Sequence, residues 1–289
     1  MTRVIEWKLA RRTLALGRRT LIMGVLNVTP DSFSDGGKFF DLESAAARAA
    51  EMFADGADII DIGGESTRPG GAGVPAEEEL RRTVPGVERI RAELPGALLS
   101  IDTTKAEVAR AALDAGAEIV NDISALRFDE RVAAEAARAG AGLVLMHSRG
   151  TPATLHALPP VPDIMAEVTD GLRRSIAVAA QHGVARAQIV LDPGIGFGKS
   201  GAQNLELLAK LDVLAAEFAD FPLLVGTSRK SFIGRLLGDA PPGGRLHGTM
   251  TTVTAAILGG AHIVRVHDVR AAAETARVAD AIKAVASDR

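Results

Sequence analysis

One phrase, Gly-Ala, then a variable residue, then an apolar run, occurs four times in this chain. It reads GADIIDI from Gly56, GAEIVND from Gly116, GAGLVLM from Gly140 and GAHIVRV from Gly260. Each copy follows an Ala-rich stretch of helical character, and glycine suits the left-handed position just past the end of a helix. The phrase is therefore a helix-to-strand joint, and its recurrence demands an alternating α/β chain. Four further apolar runs lack the Gly-Ala lead: LIMGVLNVT from Leu21, LLSIDTT from Leu98, IVLDPG from Ile189 and PLLVGTS from Pro222. Helical patterns lie between the runs, among them ESAAARAAEMFADG, KAEVARAALDAG, DERVAAEAARAG and NLELLAKLDVLAAEFAD. Eight strand–helix alternations in roughly 250 residues predict an α/β fold closed into a (β/α)8 TIM barrel. An open doubly wound sheet is the alternative that the same alternation permits. Before the first run, VIEWKLA and RRTLALG predict a two-stranded flap closing the barrel floor. No linker or low-complexity segment divides the chain, so residues 1–289 are expected to form one domain, with PPGG at Pro241 to Gly244 as a surface turn.

Composition narrows the function classes. A formal net charge of -3 offers no nucleic-acid face, although local basic clusters can still bind a phosphorylated small molecule. The absence of cysteine excludes a disulfide framework and thiolate chemistry, and fits a reducing cytoplasm. The basic N-terminus carries Glu6 and several arginines where a signal peptide needs an unbroken apolar core, and no run approaches the ~18 apolar residues of a membrane span. The expected setting is cytoplasmic.

Strand after strand ends on polar residues: Asn27, Asp61, Asp102, Asn121 with Asp122, His147, Asp192, Ser228, and Arg265 with His267. In a (β/α)8 barrel the C-terminal strand ends converge on one mouth, where active sites sit. Asp102, Asn121 and Asp192 suit a flat heterocycle, because a carboxylate accepts a ring N–H together with an exocyclic amine while an amide both donates and accepts. The plainer role for Asp102, ahead of TTKAEV, is to cap the next helix. Arg68, Lys230, Arg265 and His267 bring positive charge to three strand ends, which suits a diphosphate; surface ion pairing is the ordinary alternative. In RVHDV, Arg265 and His267 stand two apart on one strand and so share a face.

The segments after the first two barrel strands, NVTPDSFSDGGKFF from Asn27 and GGESTRPGGAGVP from Gly63, are rich in Gly, Ser, Thr and Pro and read as lids that carry function. DPGIGFGKS from Asp192 ends like a nucleotide P-loop but has Pro193 where that motif needs its first glycine. Its glycines are read instead as room for a ligand against the backbone.

Together these pieces resemble the dihydropteroate synthases, the sulfonamide-inhibited enzymes of folate synthesis. The resemblance runs from MGVLNVTPDSFSDGG through DIGGESTRPG, SIDTTK, VNDIS, DPGIGFGKS and SRKSFIG to RVHDV, nearly the whole chain in order. It implies a transferase that joins 6-hydroxymethyl-7,8-dihydropterin diphosphate to p-aminobenzoate, with Mg²⁺ as cofactor, in a homodimer. By that resemblance Asp102, Asn121, Asp192 and Lys230 hold the pterin, with Met146 and Phe197 bordering it. Asn27 binds Mg²⁺, and Asn27, Thr67, Arg68, Arg265 and His267 receive the diphosphate. Phe33, Pro69 and Ser231 lie near the aminobenzoate, and Arg68, Lys230, Arg265 and His267 serve catalysis. MHSRG stands where the family often has Met-His-Met, and HGTMTT precedes the last strand; the first departure leaves His147 without an assigned role. A methyltetrahydrofolate-dependent corrinoid methyltransferase also matches the Asp-Asn-Asp set, but not SRKS, RVHDV or the two long segments. A catalytically silent pterin-binding paralogue is the remaining rival. Because the two segments gather groups for diphosphate and metal, p-aminobenzoate is expected to bind poorly until pterin and Mg²⁺-diphosphate are in place.

Overall fold

The computed structural model describes residues 4–28, 38–65, 73–151, 154 and 157–287. Two short strands, β1 (Ile5–Lys8) and β2 (Thr13–Leu16), pair antiparallel. Eight parallel strands follow: β3 (Leu21–Asn27), β4 (Ile59–Gly63), β5 (Leu98–Asp102), β6 (Ile119–Asp122), β7 (Gly142–Met146), β8 (Ile189–Asp192), β9 (Leu224–Val225) and β10 (Ile263–Val266). They are ordered β8-β7-β6-β5-β4-β3-β10-β9, and the two ends meet through a parallel bridge between Leu191 and Leu223, with Leu191 N donating to Pro222 O at 2.9 Å. The sheet thus returns on itself as a (β/α)8 barrel, and the open sheet is excluded.

Each Gly-Ala joint works as its sequence implies. Gly56, Gly116, Gly140 and Gly260 all have positive φ, between 64° and 116°. The variable third residue ties the barrel floor. Asp58 accepts Ile22 N and the Arg19 guanidinium, Glu118 accepts Arg12 and Arg91, and His262 Nδ1 accepts Leu223 N.

Period-two alternation splits every barrel strand into two faces. One set, Ile22, Ile60, Leu99, Val120, Leu143, Leu191 and Val264, packs outward against the helices. The other set, Leu21, Met23, Ile59, Leu98, Ile119, Val144, Val190, Leu224 and Ile263, fills the barrel interior at its lower end. Trp7, Leu9 and Leu16 of the β1–β2 hairpin join this inner cluster, and Trp7 Nε1 donates to Gln188 O at 2.8 Å. The flap therefore plugs the floor with a fully buried indole. Gly142, an inward position of β7, leaves the room it needs, since a Cβ there would stand 2.7 Å from Trp7 Cζ2. Gly142→Ala is expected to cost about 1–3 kcal/mol through overpacking, read as a fall of about 2–8 °C in the thermal midpoint; an unchanged midpoint would show that the plug is not seated.

Three local expectations need correction. The helix α1 (Lys38–Ala54) begins inside the segment read as a loop through Phe40. The pattern from Asn204 to Asp220 is two helices, α6 (Gly201–Ala209) and α7 (Leu211–Glu217), divided at Lys210, whose φ of -112° and ψ of 25° leave the helical range. That break turns the fully buried Leu211 toward Gly259, where a Cβ would stand 3.0 Å from its own. The run from Pro222 supplies only a two-residue strand before the chain turns into Thr227 and Ser228. PPGG is an exposed single-turn 3-10 helix, and no described helix is long and apolar enough to cross a membrane.

Candidate active site

Continuing the inward set upward by twos gives the barrel mouth. Ile59 leads to Asp61, Leu98 through Ser100 to Asp102, Ile119 to Asn121 and Ile123, Val144 to Met146, Val190 to Asp192, and Ile263 to Arg265 and His267. The strand register then explains why polar side chains collect here above an apolar layer. It also removes two members of the polar ring. Asp122 is of outward parity and is spent locally, accepting Ser124 N, Ser124 Oγ and Leu126 N at 2.7–2.8 Å. His147 follows the inward Met146 and sits behind the barrel wall.

At the centre lies Arg265. Its Nε donates to Asp61 Oδ2 and its Nη2 to Asp102 Oδ2, both at 2.6 Å. Asn121 Nδ2 donates to the same Asp61 oxygen at 3.0 Å, so one fully buried carboxylate orients both Arg265 and Asn121. Asp61 was visible in the sequence as a polar strand end, but nothing there revealed it as the anchor. Asp102 does not cap the next helix: α3 (Ala106–Asp114) has Lys105 at its cap position. Burial pushes the Asp102 carboxyl well above its ordinary range, because desolvation outweighs the opposing pull of Arg265. Asp192 accepts Gly194 N through Oδ1 at 2.7 Å, and burial raises it to about 6.

Lys230, at the cap of helix α8 (Ser231–Leu236), holds its Nζ 3.9 Å from the centre of the Phe197 ring, a cation–π contact. Burial and Arg265 bring its ammonium down to about 8. Met146 and Phe197 are buried and pack together with Ile123, an apolar wall beside Asn121 and Asp192. The neighbouring Arg229 turns away and grips Asp268 through two hydrogen bonds. Ser231 is exposed at the start of α8. His267 accepts or shares a hydrogen bond with Ser228 Oγ at 3.0 Å, and burial beside Arg265, Arg229 and Lys230 lowers it to about 3. Its ring is therefore neutral, not the cation the sequence implied; an anion beside it would favour its charged form. Phe33, Thr67, Arg68 and Pro69 lie outside the described residues.

The glycines of DPGIGFGKS do not make room for a ligand. A Cβ on Gly194 would overlap the His147 carbonyl oxygen, and one on Gly196 would stand 2.9 Å from Lys230 Cδ. The protein's own atoms fill the space. Lys199, the lysine of the P-loop-like ending, locks this segment: its Nζ donates to the carbonyls of His147, Gly194 and Phe197 at 2.8–3.1 Å. Lys105 likewise bridges Glu65 and the buried Glu79 at 2.7 and 2.5 Å, fastening the end of β4 to α2 (Ala76–Glu93).

The mouth thus offers carboxylates and an amide beside an apolar wall, with two cations at hand, which defines a (β/α)8 barrel equipped for a flat, polar, anion-bearing ligand. The model of the pterin binding enzyme family matches residues 23–267. Dihydropteroate synthase of Synechocystis is 51% identical over 92% of this chain and 91% of its own length. Dihydropteroate synthase of Yersinia pestis, solved in complex with a sulfonamide drug, superposes with a TM-score of 0.89 at 41% identity, covering 97% of this chain and 100% of that one. That of Xanthomonas albilineans, solved with 7,8-dihydropteroate, gives 0.85 at 41% identity over 96% and 99%. The chain belongs to the dihydropteroate synthase family.

Proposed function

We propose that this chain condenses 6-hydroxymethyl-7,8-dihydropterin diphosphate with p-aminobenzoate, releasing diphosphate and 7,8-dihydropteroate. The observation that carries the reading is the convergence of Asp102, Asn121, Asp192 and Lys230 on one mouth, backed by the Arg265–Asp61 pair. Ionised Asp192 accepts the ring N–H and exocyclic amine of the pterin, while Asn121, held by Asp61, meets its other edge. Met146, Phe197 and the Lys230 stem close over the ring faces. Breaking the CH₂–O bond leaves positive character on the pterin and negative charge on the departing diphosphate. Asp102 faces the former; Arg265 and a protonated His267, with Thr67 and Arg68, receive the latter. The aminobenzoate nitrogen forms the new C–N bond and gives up one proton. Alignment near Ser231, Phe33 and Pro69 supplies much of the acceleration, because aniline nitrogen is a weak nucleophile.

The reading includes Mg²⁺, shared between the protein and the diphosphate. A Cβ on Gly63 would stand 3.8 Å from Asn27 Oδ1 and 3.8 Å from Asp102 Oδ2, so two hard oxygens flank this stretch of backbone. No group of three or more His, Asp or Glu among the described residues is placed to cage a metal. Asn27 would hold the ion through Oδ1 with diphosphate oxygens and water completing the shell, and the bound cation would offset charge on the leaving group. A cytoplasmic homodimer completes the reading. It is supported by the lack of cysteine and by the exposed apolar side chains of Val213, Leu236 and Leu258.

The test is direct. Purified protein with Mg²⁺, pterin diphosphate and p-aminobenzoate should form dihydropteroate, inhibited by a sulfonamide. Methyl transfer to a corrinoid instead, or pterin binding without product, would overturn the reading. A pH prediction follows from Asp192. Its raised carboxyl holds a proton below about pH 6, and a protonated group cannot accept two donors. The affinity of a pterin lacking diphosphate should therefore rise by up to about tenfold per pH unit below 6 and level off above it. Folding stability runs the other way: the folded state binds more protons than the unfolded, so this group's contribution falls as pH rises from about 4 through 6. Calorimetric affinities that are flat from pH 5 to 8 would remove Asp192 from the pterin edge.

A further inference from the structure

A pocket of about 430 Å³ lies on the outer side of β6 and β7, bounded by the turn after β6, the segment after β7 and one face of helix α5 (Ile164–Gln181). It shares no lining residue with the mouth, as parity requires: Met146 faces in, His147 faces out. His147 is only 5% exposed, and its Nδ1 has no hydrogen-bond partner among the described residues. Burial and the charges of Lys199, Arg127, Arg174 and Arg149 keep the ring neutral. Opposite it stands Gly171, a residue disfavoured in the middle of a helix. Its absence of a side chain is explained by the imidazole packed against it: a Cβ there would overlap the His147 ring, and Arg174 Nη2 would lie 3.7 Å away.

The charges are built for an anion. Arg174 has no hydrogen-bonded partner among the described residues. Arg127 is partly committed, to Ser148 Oγ and Gly150 O, and Arg149 to Pro159 O and Gly198 O. Glu167 approaches His147 Nε2 at 3.8 Å, and Glu130 is mostly exposed at the rim beside His182. Three guanidinium groups against two carboxylates leave an excess of positive charge around a buried donor ring. The volume exceeds what a bare inorganic anion needs, and Leu126, Leu158 and Val178 line the remainder.

We propose that this pocket binds a small organic molecule through an oxyanion, phosphate or carboxylate, received by Arg174 and the His147 ring. The site reaches the pterin wall from behind. The His147 carbonyl holds Lys199 and Arg149 holds Gly198, so two of the anchors of the segment carrying Phe197 are pocket residues. An occupant that displaces either one alters the pterin site without entering it.

The test uses ¹⁵N-histidine-labelled protein, with the ring signals of His147 and His267 assigned by single His→Asn variants. Titration with inorganic phosphate, phenyl phosphate and benzoate should move the His147 signal to saturation with at least one organic probe. The preferred probe identifies the oxyanion. Arg174→Gln should weaken that response about tenfold or more while leaving the His267 response and turnover intact. Three results would overturn the proposal: a His147 signal unmoved by every probe, an equal response in Arg174→Gln, or inorganic phosphate binding as tightly as either organic anion. Because His267 reports the mouth separately, failure here is distinguishable from failure of the synthase reading.

Discussion

Replacing Arg265 by alanine is expected to damage the fold and the reaction together, in measurably different ways. Its guanidinium is the only cation hydrogen-bonded to Asp61 among the described residues, and that carboxylate is fully buried with one oxygen already lacking a partner. Removing one member of a buried ion pair typically costs about 3–5 kcal/mol, because the remaining charge is left uncompensated. Calorimetry at pH 8 should show a thermal midpoint lower by about 6–15 °C. Loss of Arg265 also removes the influence that lowers Asp102, so the Asp102 carboxyl should titrate higher still. Turnover is expected to fall by about 10²–10³, the usual consequence of deleting one fixed donor at a developing charge. Arg265→Lys should recover part of the stability but not the two-pronged geometry. A variant with native midpoint and reduced turnover would place Arg265 on the leaving group alone. The reverse pattern would confine it to holding Asp61 and Asp102.

Asp192→Asn should separate binding from folding. An amide presents an N–H₂ where the pterin needs a second acceptor, and each charge-assisted hydrogen bond is worth about 1.5–3 kcal/mol. The affinity of a pterin without diphosphate should fall by about 100-fold or more at pH 8. The fold should survive, since an amide oxygen can still accept Gly194 N and the cost of burying a charge disappears above pH 6. The thermal midpoint should be unchanged or higher. Near-native affinity would exclude Asp192 from the pocket, and a collapsed midpoint would mean that its hydrogen bond to Gly194 matters more than its charge.

The strands and the joints between them were legible in the sequence because both are local: a left-handed glycine, an alanine and an apolar run need no distant partner to be recognised. The polar strand ends were legible for the same reason. Which of them face inward was not, because parity depends on register, and register is fixed by pairing with a neighbour. Asp122 and His147 look like Asn121 and Met146 in a list, yet one residue of offset sends them to the opposite side of the wall. Pairings such as Asp61 with Arg265, 204 positions apart, leave no trace in either residue's surroundings. The glycines of DPGIGFGKS misled for a related reason. Crowding makes glycine as necessary as vacancy does, and the crowding atoms come from His147 and Lys230.

The Trp7 plug fixes a sequence of events in time. The hairpin that carries it is made before any barrel strand, yet its indole N–H bonds to a carbonyl 181 residues later and its ring belongs to an apolar cluster drawn from all eight barrel strands. Nothing finished exists for it to enter until β8 through β10 have been made. Contacts of this span are slow to form because the loop entropy must be overcome first. A newly made chain therefore carries an exposed tryptophan through most of its synthesis, and barrel closure and seating of the hairpin become one late step. An N-terminal fusion that holds the hairpin away would be felt at the far end of the chain, as a barrel unable to complete its circle.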